Sequence, residues 1–331
     1  MKSQFCGIGI LALSLLAAGV VAQEAPRSAP AGASGLPESA AGKVDAIVGR
    51  CLPYYEYINV GLVRNASITL TKVYGDRGVD DPGVYASVSK PVTAVILMRF
   101  VAAGKIKSLD DNIWVYSKKF EHCLPAQYAD SPLTFRHLLT HTSGLPHGAT
   151  EDSPPIWQDG KLNLQFRPGT SYRYSTGAFG ILAQLLEEIS GRPFSQLLAE
   201  HIGQPVGAES FTIPGAGAAG WGIGSTIGDM ARFGVGVMQN TYVSADVLYG
   251  QILRPSERSS WYGLGWGVKQ YGSEDIIATH SGSNGRPRAY LLLKPRKKLG
   301  VVILATTRGH SGTPGLGTMA NELLAVLENP E

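Results

Sequence analysis

Strand-like runs at both ends of the chain, separated by a helical middle, constrain the fold more than any other feature. YINVGLVR and SITLTKVYG lie on either side of Asn65-Ala66, which favours a hairpin. EDIIATHSG, RPRAYLLLK and LGVVILATT follow one another beyond Tyr262 and are separated by short turns. Helical spacing dominates residues 106–250, and GTMANELLAVLEN closes the chain as a helix. We therefore expect an α+β fold in which the N- and C-terminal segments build one antiparallel sheet, flanked by helices, with a mostly helical insert and a cleft at the junction.

The first 42 residues differ in composition from the rest. Residues 1–22 begin with Met-Lys, continue as an apolar run and end in small residues at Ala22, which is typical of a secretory signal peptide; retention of the run as a membrane anchor is the alternative. Residues 23–42 are rich in Ala, Pro, Gly and Ser and predict a disordered linker. We expect a single domain at 43–328, with a sheet subdomain at about 43–84 and 255–328 and a helical subdomain at about 85–254. No transmembrane segment is expected in the mature chain.

Charge and cysteine content narrow the functional classes. The net charge of +3 is too small to favour binding to nucleic acid, so no such partner is expected. After cleavage near Ala22, Cys51 and Cys123 remain, and an oxidising compartment would allow them to pair. The residues alone leave open whether their geometry permits a bridge.

The stretch YASVSKPVTAVIL carries a serine, Ser87, and a lysine three residues later, Lys90, at the start of an apolar helix. That offset places both side chains on one helix face, and Pro91 fits only in a first turn. Helix amides near Ser87 would favour negative charge on a reacting oxygen, and a buried Lys90 would act as a base. The alternative is a serine that caps the helix and an exposed lysine, because one Ser-x-x-Lys is expected by chance in a chain of this length.

Two further segments contain side chains that suit the same chemistry. Tyr174 comes just before a helix, where its phenol relays a proton if it lies near Lys90; packing is the alternative role. His280-Ser281-Gly282 ends a strand, and a strand edge with glycine lets a substrate backbone approach and pair. A turn with an incidental histidine is the alternative for that segment.

Two other patterns carry less weight. The G-x-G-x-x-G match at Gly215–Gly220 lacks a core strand before it and a helix after it, so it predicts a flexible loop rather than a nucleotide site. His137 and His141 have the spacing of helical zinc ligands, but no glutamate follows His137, and packing roles are favoured.

Taken together, the ordered segments resemble the serine β-lactamase and penicillin-binding protein superfamily, in its branch of class C enzymes, DD-peptidases and esterases. Ser87-Val88-Ser89-Lys90 matches the first motif, and RHLLTHTSGLP, FRPGTSYRYS and YGLGWG are similar to its connecting segments. The order Ser-x-x-Lys, Tyr, His-x-Gly also agrees. The resemblance covers about residues 43–328.

The resemblance implies a role for each motif. Ser87 would be the acylated nucleophile, and Lys90 and Tyr174 would share the general acid–base work, with the acceptor of the serine proton left open. Backbone N–H groups of Ser87 and Ser283 would form the oxyanion hole. The implied substrate-binding positions are Thr176, His280, Ser281 and Gly282. Neither a metal nor another cofactor is implied.

Two departures from the family pattern bear on the substrate. Thr176 stands where the family has asparagine, and it offers one short hydroxyl in place of an amide. His280 stands where many β-lactamases have lysine, and a neutral imidazole binds a carboxylate less well.

We therefore expect a secreted, periplasmic serine hydrolase that forms an acyl-enzyme. Its substrate would be a small ester or a D-amino-acid-containing amide or peptide, with cell-wall muropeptides among the candidates. The alternatives are a true class C-like β-lactamase and a non-catalytic protein that binds penicillin or muropeptides.

Overall fold

A computed structural model describes residues 35–148, 152–271, 275–309 and 312–331. The expected signal peptide, and the expected linker as far as residue 34, lie outside the described residues. Helix α1 (Glu38–Cys51) begins before Lys43, where the linker was predicted to end. Ala40, Val44 and Val48 recur on one face of this helix and are fully buried, so the helix is amphipathic and packs on the sheet.

Within the described residues, ten strands and seven further helices follow α1. The strands are β1 (Tyr55–Arg64), β2 (Ser67–Gly75), β3 (Gly83–Val84), β4 (Trp157–Gln158), β5 (Lys161–Leu162), β6 (Gly224–Ser225), β7 (Gly267–Tyr271), β8 (Asp275–Ser283), β9 (Pro287–Lys294) and β10 (Leu299–Thr307). The helices are α2 (Ser89–Ala102), α3 (Phe135–Leu139), α4 (Gly177–Ser190), α5 (Phe194–Leu198), α6 (Ile227–Met238), α7 (Ala245–Val247) and α8 (Leu316–Glu328).

The main sheet has six antiparallel strands in the order β2-β1-β10-β9-β8-β7. Strands from the two ends of the chain therefore meet inside the sheet, where β1 pairs with β10. The hairpin at Asn65-Ala66 is confirmed, and both residues have positive φ (55° and 53°), as a tight two-residue turn requires. The expected α+β fold with a sheet built from both termini is confirmed. Strand β7 was missed because its run is short and begins with glycine.

Helices cover both faces of the sheet. Alternate residues of β1 (Ile58, Val60 and Leu62) pack against α1 and α8 on one face. Helix α6 packs on the other face, against β1, β2 and β10. Helix α2 lies deeper and is buried almost all round, as its continuous apolar sequence indicates. The cleft that holds the candidate site lies where α2, α4 and β8 approach one another.

Local signals for the helices were partly correct. LTFRHLLTH forms only the short helix α3, which stops before His141 (φ 59°). The Thr226 hydroxyl accepts from the Asp229 N–H (3.1 Å) and caps α6. The Asp229 carboxylate does not return a bond to the Thr226 N–H, which donates to Ser210 Oγ, so the reciprocal capping box is not formed.

Cys51 and Cys123 are free thiols in the structure, so the bridge between them that the sequence left open is not formed. Burial raises the pKa of Cys123 to about 11, which makes this thiol unreactive at neutral pH. Across the described ranges, none of the helices combines the length and apolar character needed to cross a bilayer.

Candidate active site

Ser87 lies in a 3₁₀ turn, Ala86–Val88, immediately before α2. Ala86 has a φ of 47°, a left-handed conformation that residues other than glycine seldom adopt. The turn leaves Ser87 partly exposed at the N-terminal end of the helix, while both of its neighbours are buried. Pro91 occupies the first turn of α2, where its missing N–H costs no intrahelical bond.

Lys90 is fully buried (0% exposed) and its amine reaches three oxygens. Nζ lies 3.1 Å from Ser87 Oγ, 3.2 Å from Thr176 Oγ1 and 2.8 Å from the Gly220 carbonyl oxygen. Burial lowers the pKa of Lys90 well below its ordinary value. In its neutral form this amine has two N–H donors and one lone pair, so it can donate to Gly220 and Thr176 while it accepts from the Ser87 hydroxyl; in its charged form it donates to all three oxygens.

Tyr174 lies directly beside this pair. Its ring centroid is 4.6 Å from Lys90 Nζ, and Ser87 lies close enough to its phenol to lower the pKa of Tyr174. Burial raises the pKa of Tyr174 to about 12, although the contact with Ser87 opposes the rise. The phenol is therefore protonated at neutral pH and suited to donate a proton.

The end of β8 forms one wall of the site. Strand β7 pairs with β8 only as far as Gly267 and Thr279, so residues 280–283 extend beyond its end. A cavity of about 280 Å³ lies there, lined by Ser87, Tyr174, Trp261, His280, Ser281 and Ser283, among others. The structure thus brings the serine, the phenol and the third motif together in one cleft, as the sequence reasoning requires.

Gly282 lets β8 approach the turn that carries Ser87. A Cβ atom at this position would lie 2.4 Å from the Tyr85 carbonyl oxygen and 3.1 Å from Ala86 Cβ. Since the closer contact is with backbone, no side-chain rotation relieves it. The glycine is needed for this close approach rather than for an unusual φ.

His280 is buried (7% exposed) and both of its ring nitrogens are occupied. Nδ1 lies 2.8 Å from the Ser281 carbonyl oxygen, which can only accept, so Nδ1 carries the proton. Nε2 then accepts from the Tyr262 hydroxyl at 3.0 Å. Burial, with Lys90 nearby, lowers the pKa of His280 to about 3. The ring is therefore neutral and has no free N–H, so it borders the cavity without offering a charge.

Thr176 differs from the sequence expectation in its surroundings. Its side chain is buried (3% exposed), and its hydroxyl contacts Lys90 and, at 3.5 Å, His147 Nε2. It thus faces the lysine rather than opening onto the cavity.

Sequence reasoning missed four groups at the site. The His141 ring packs 4.3 Å from that of Tyr174, and its Nδ1 accepts from the Ser175 N–H at 3.1 Å. Tyr262, His147 and the Gly220 carbonyl are the others. His141 and His147 lie within the segment HTSGLPH, whose two histidines were the available signal. A backbone carbonyl leaves no signal in a sequence, and the Gly215–Gly220 loop that presents it was predicted only as flexible.

The described segments contain no group of three histidine, cysteine, aspartate or glutamate side chains that could hold a metal ion. His137 and His141 have the spacing of helical zinc ligands. Nδ1 of His141 already accepts a hydrogen bond from the Ser175 N–H.

Comparison with known proteins bears on the same arrangement. A family model described as Beta-lactamase matches residues 58–324, which is most of the 331-residue chain. The chain belongs to the Beta-lactamase family. The matched range contains both walls of the cleft, from β1 to α8. The family name describes descent and fold, and it does not specify a substrate.

Known proteins that are similar to this chain carry several activities in their names. The D-alanyl-D-alanine-carboxypeptidase/endopeptidase AmpH of Escherichia coli is 26% identical over 293 residues, covering 72% of this chain and 75% of the relative. Esterase EstB of Burkholderia gladioli is 29% identical over 143 residues, covering 37% and 36%. The solved β-lactamase/D-alanine carboxypeptidase of Yersinia pestis superimposes with a TM-score of 0.69 over 87% of this chain and 99% of that one; at 21% identity it shows the shared fold.

Proposed function

We propose that this protein is a serine hydrolase that forms an acyl-enzyme at Ser87 and acts on esters or on amides and peptides that contain D-amino acids. The contact between Lys90 Nζ and Ser87 Oγ, in a site where burial favours the neutral amine, is the observation that carries the proposal. A base must lie within hydrogen-bonding reach of the proton that it takes, and this amine does.

In acylation, Lys90 takes the hydroxyl proton as Ser87 Oγ attacks the substrate carbonyl carbon. The backbone N–H groups of Ser87 and Ser283 stabilise the oxyanion that forms. When the intermediate collapses, the Tyr174 phenol protonates the leaving oxygen or nitrogen and recovers a proton from the Lys90 ammonium. In deacylation, water attacks the acyl carbon and Lys90 takes a water proton. As the bond to Ser87 Oγ breaks, Lys90 gives that proton to Oγ, which restores both the Ser87 hydroxyl and the neutral amine.

The wall of the cleft supports the proposed substrate class. Ser281 and Gly282 lie on the part of β8 that extends beyond β7, where a substrate backbone can add as a short strand. The neutral state of His280 disfavours substrates that depend on a fixed cation at this position. Names of relatives, among them AmpH and EstB, span peptidase and esterase activity.

The test compares wild type with Ser87→Ala on three substrates: a p-nitrophenyl ester, a D-Ala-D-Ala peptide and nitrocefin. Ser195→Ala, at an exposed helix position, is the matched control. We expect hydrolysis of the ester or the peptide, abolished only in Ser87→Ala. Rapid nitrocefin turnover without the other activities would instead favour the β-lactamase alternative. Intact-mass analysis with a fluorophosphonate completes the test, because the absence of an adduct on wild type would favour a non-catalytic binding protein.

The location of the enzyme is part of the proposal. We propose that residues 1–22 direct secretion, which would place the mature enzyme in the bacterial periplasm. Recovery of a chain that begins near Gln23 from the periplasmic fraction is the expected result. Recovery of the uncleaved chain from the membrane fraction would instead favour a retained anchor.

A further inference from the structure

The hydrogen of the Thr176 hydroxyl has a restricted choice of partners. Lys90 Nζ lies 3.2 Å from Thr176 Oγ1 and 2.8 Å from the Gly220 carbonyl oxygen, which can only accept. If Lys90 reserves its lone pair for Ser87, both of its N–H groups are donated, one to Gly220 and one to Thr176. The hydroxyl hydrogen is then left for His147 Nε2, 3.5 Å away, which accepts in the tautomer whose ring proton is on Nδ1; that nitrogen is buried and has no hydrogen-bond partner among the described residues. This distance is at the long end of hydrogen bonding, as is common for catalytic contacts before substrate binds.

We propose that His147 is a positioning residue that accepts the Thr176 hydroxyl hydrogen and so keeps the lone pair of Lys90 directed at Ser87. Thr176 and His147 together then serve where the family has a single asparagine. An amide side chain donates and accepts at once, whereas a hydroxyl between two partners needs an acceptor beyond it to fix its direction. The inference rests on the proposed function, because it concerns the reactivity of Ser87.

The backbone fixes His147 in this position. Its carbonyl oxygen accepts from the N–H groups of Thr176 (2.9 Å) and Gly177 (3.0 Å), where α4 begins. The ring stacks on Tyr174, with 5.8 Å between centroids and 30° between planes. These contacts hold the imidazole beside Thr176 without help from the Nε2 contact, so a ring that lacks nitrogen can occupy the same space.

Removal of the acceptor has a defined consequence. Without His147 Nε2, the Thr176 hydroxyl finds its best remaining acceptor in the lone pair of Lys90 Nζ. It then competes with the Ser87 hydroxyl for that lone pair, and Ser87 loses its base for part of the time. Because the loss of Ser87 reactivity is caused by the redirected Thr176 hydroxyl, removal of that hydroxyl should restore part of the reactivity.

A double-mutant cycle with His147→Phe and Thr176→Val tests this, with the rate of fluorophosphonate labelling at Ser87 as the readout. We expect His147→Phe to label about tenfold more slowly, the scale of one misdirected hydrogen bond. Thr176→Val should lose less, and the double variant should match Thr176→Val rather than accumulate both losses. His147→Gln, which keeps an acceptor, should stay close to wild type.

The outcomes separate this inference from the proposed function. The inference alone is overturned if wild type is labelled at Ser87 and His147→Phe is labelled at the same rate. It is also overturned if the losses in labelling rate add up in the double variant. Failure of wild type to label overturns the proposed function and the inference with it. Circular dichroism and thermal unfolding check that each variant folds, and His147→Leu replaces the phenylalanine variant if that one does not.

Discussion

Replacement of Gly282 by alanine tests whether the close approach of β8 to the Ser87 turn is needed for reactivity. The new methyl group would lie 2.4 Å from the Tyr85 carbonyl oxygen. Non-bonded carbon contacts are comfortable at about 3.5 Å, so the turn or the strand must move by about 1 Å. Because Tyr85 is two residues from Ser87, the proposed nucleophile Ser87 moves relative to Ser283 and to the oxyanion hole that the two would form.

The expected size of the effect follows from that displacement. A shift of about 1 Å in catalytic geometry can cost on the order of 10²-fold in rate. Overpacking of a tight contact destabilises a fold by about 1–3 kcal/mol. We therefore expect Gly282→Ala to label with a fluorophosphonate about 100-fold more slowly while it remains folded.

The assay pairs the labelling rate with the free energy of unfolding in urea. Gly49→Ala is the matched control, because a Cβ there meets no atom within 4 Å on the exposed face of α1. This control should keep its labelling rate and gain slightly in stability, since alanine favours a helix. Labelling of Gly282→Ala at the wild-type rate, with unchanged stability, would refute the reasoning about this contact.

Three further predictions follow from the same contacts. Lys90→Met should lower the kcat of the proposed hydrolysis by about 10²–10⁴-fold, the usual contribution of a general base, and equal kcat in variant and wild type would assign the base elsewhere. Burial holds the pKa of His280 at about 3 in the folded state against an ordinary 6.5, so the unfolded chain alone binds this proton between those pH values. The free energy of unfolding should thus fall as the pH drops below 6.5, by up to about 1.4 kcal/mol per pH unit for this one group. Urea unfolding at pH 5 and at pH 7 measures the difference. Because Cys51 and Cys123 are free thiols, a reductant should leave the Tm unchanged; a lower Tm under reducing conditions would reveal a bridge.

The sequence predicted the sheet well because its strands carry their own signals. Beta-branched residues and a turn that tolerates positive φ at Asn65 and Ala66 are local properties, visible without tertiary contacts. The start of α1 at Glu38 was not visible in the same way. Its first turn is rich in alanine and glycine and is helical because Ala40 and Val44 pack against the sheet.

The sequence allowed us to predict which side chains form the candidate site. It did not allow us to predict their burial, their protonation or their hydrogen bonds. The spacing of Ser87 and Lys90 and the order of the motifs indicated which residues converge. The burial of Thr176, the tautomer of His280 and the bond from Lys90 to Gly220 depend on groups distant in sequence. Such contacts decide pKa values and hydrogen-bond direction, and they arise only when the chain folds.

The pH dependence of Ser87 acylation tests the central claim most directly. Labelling of wild type by a fluorophosphonate, followed by intact mass from pH 5 to 10.5, reports the fraction of Lys90 that is neutral. Because burial lowers the pKa of Lys90 well below its ordinary value, the rate should reach its plateau at a pH well below the titration range of an ordinary lysine. A rate that is still rising through about pH 10, the range of an ordinary lysine, would contradict the account, as would an adduct on a residue other than Ser87.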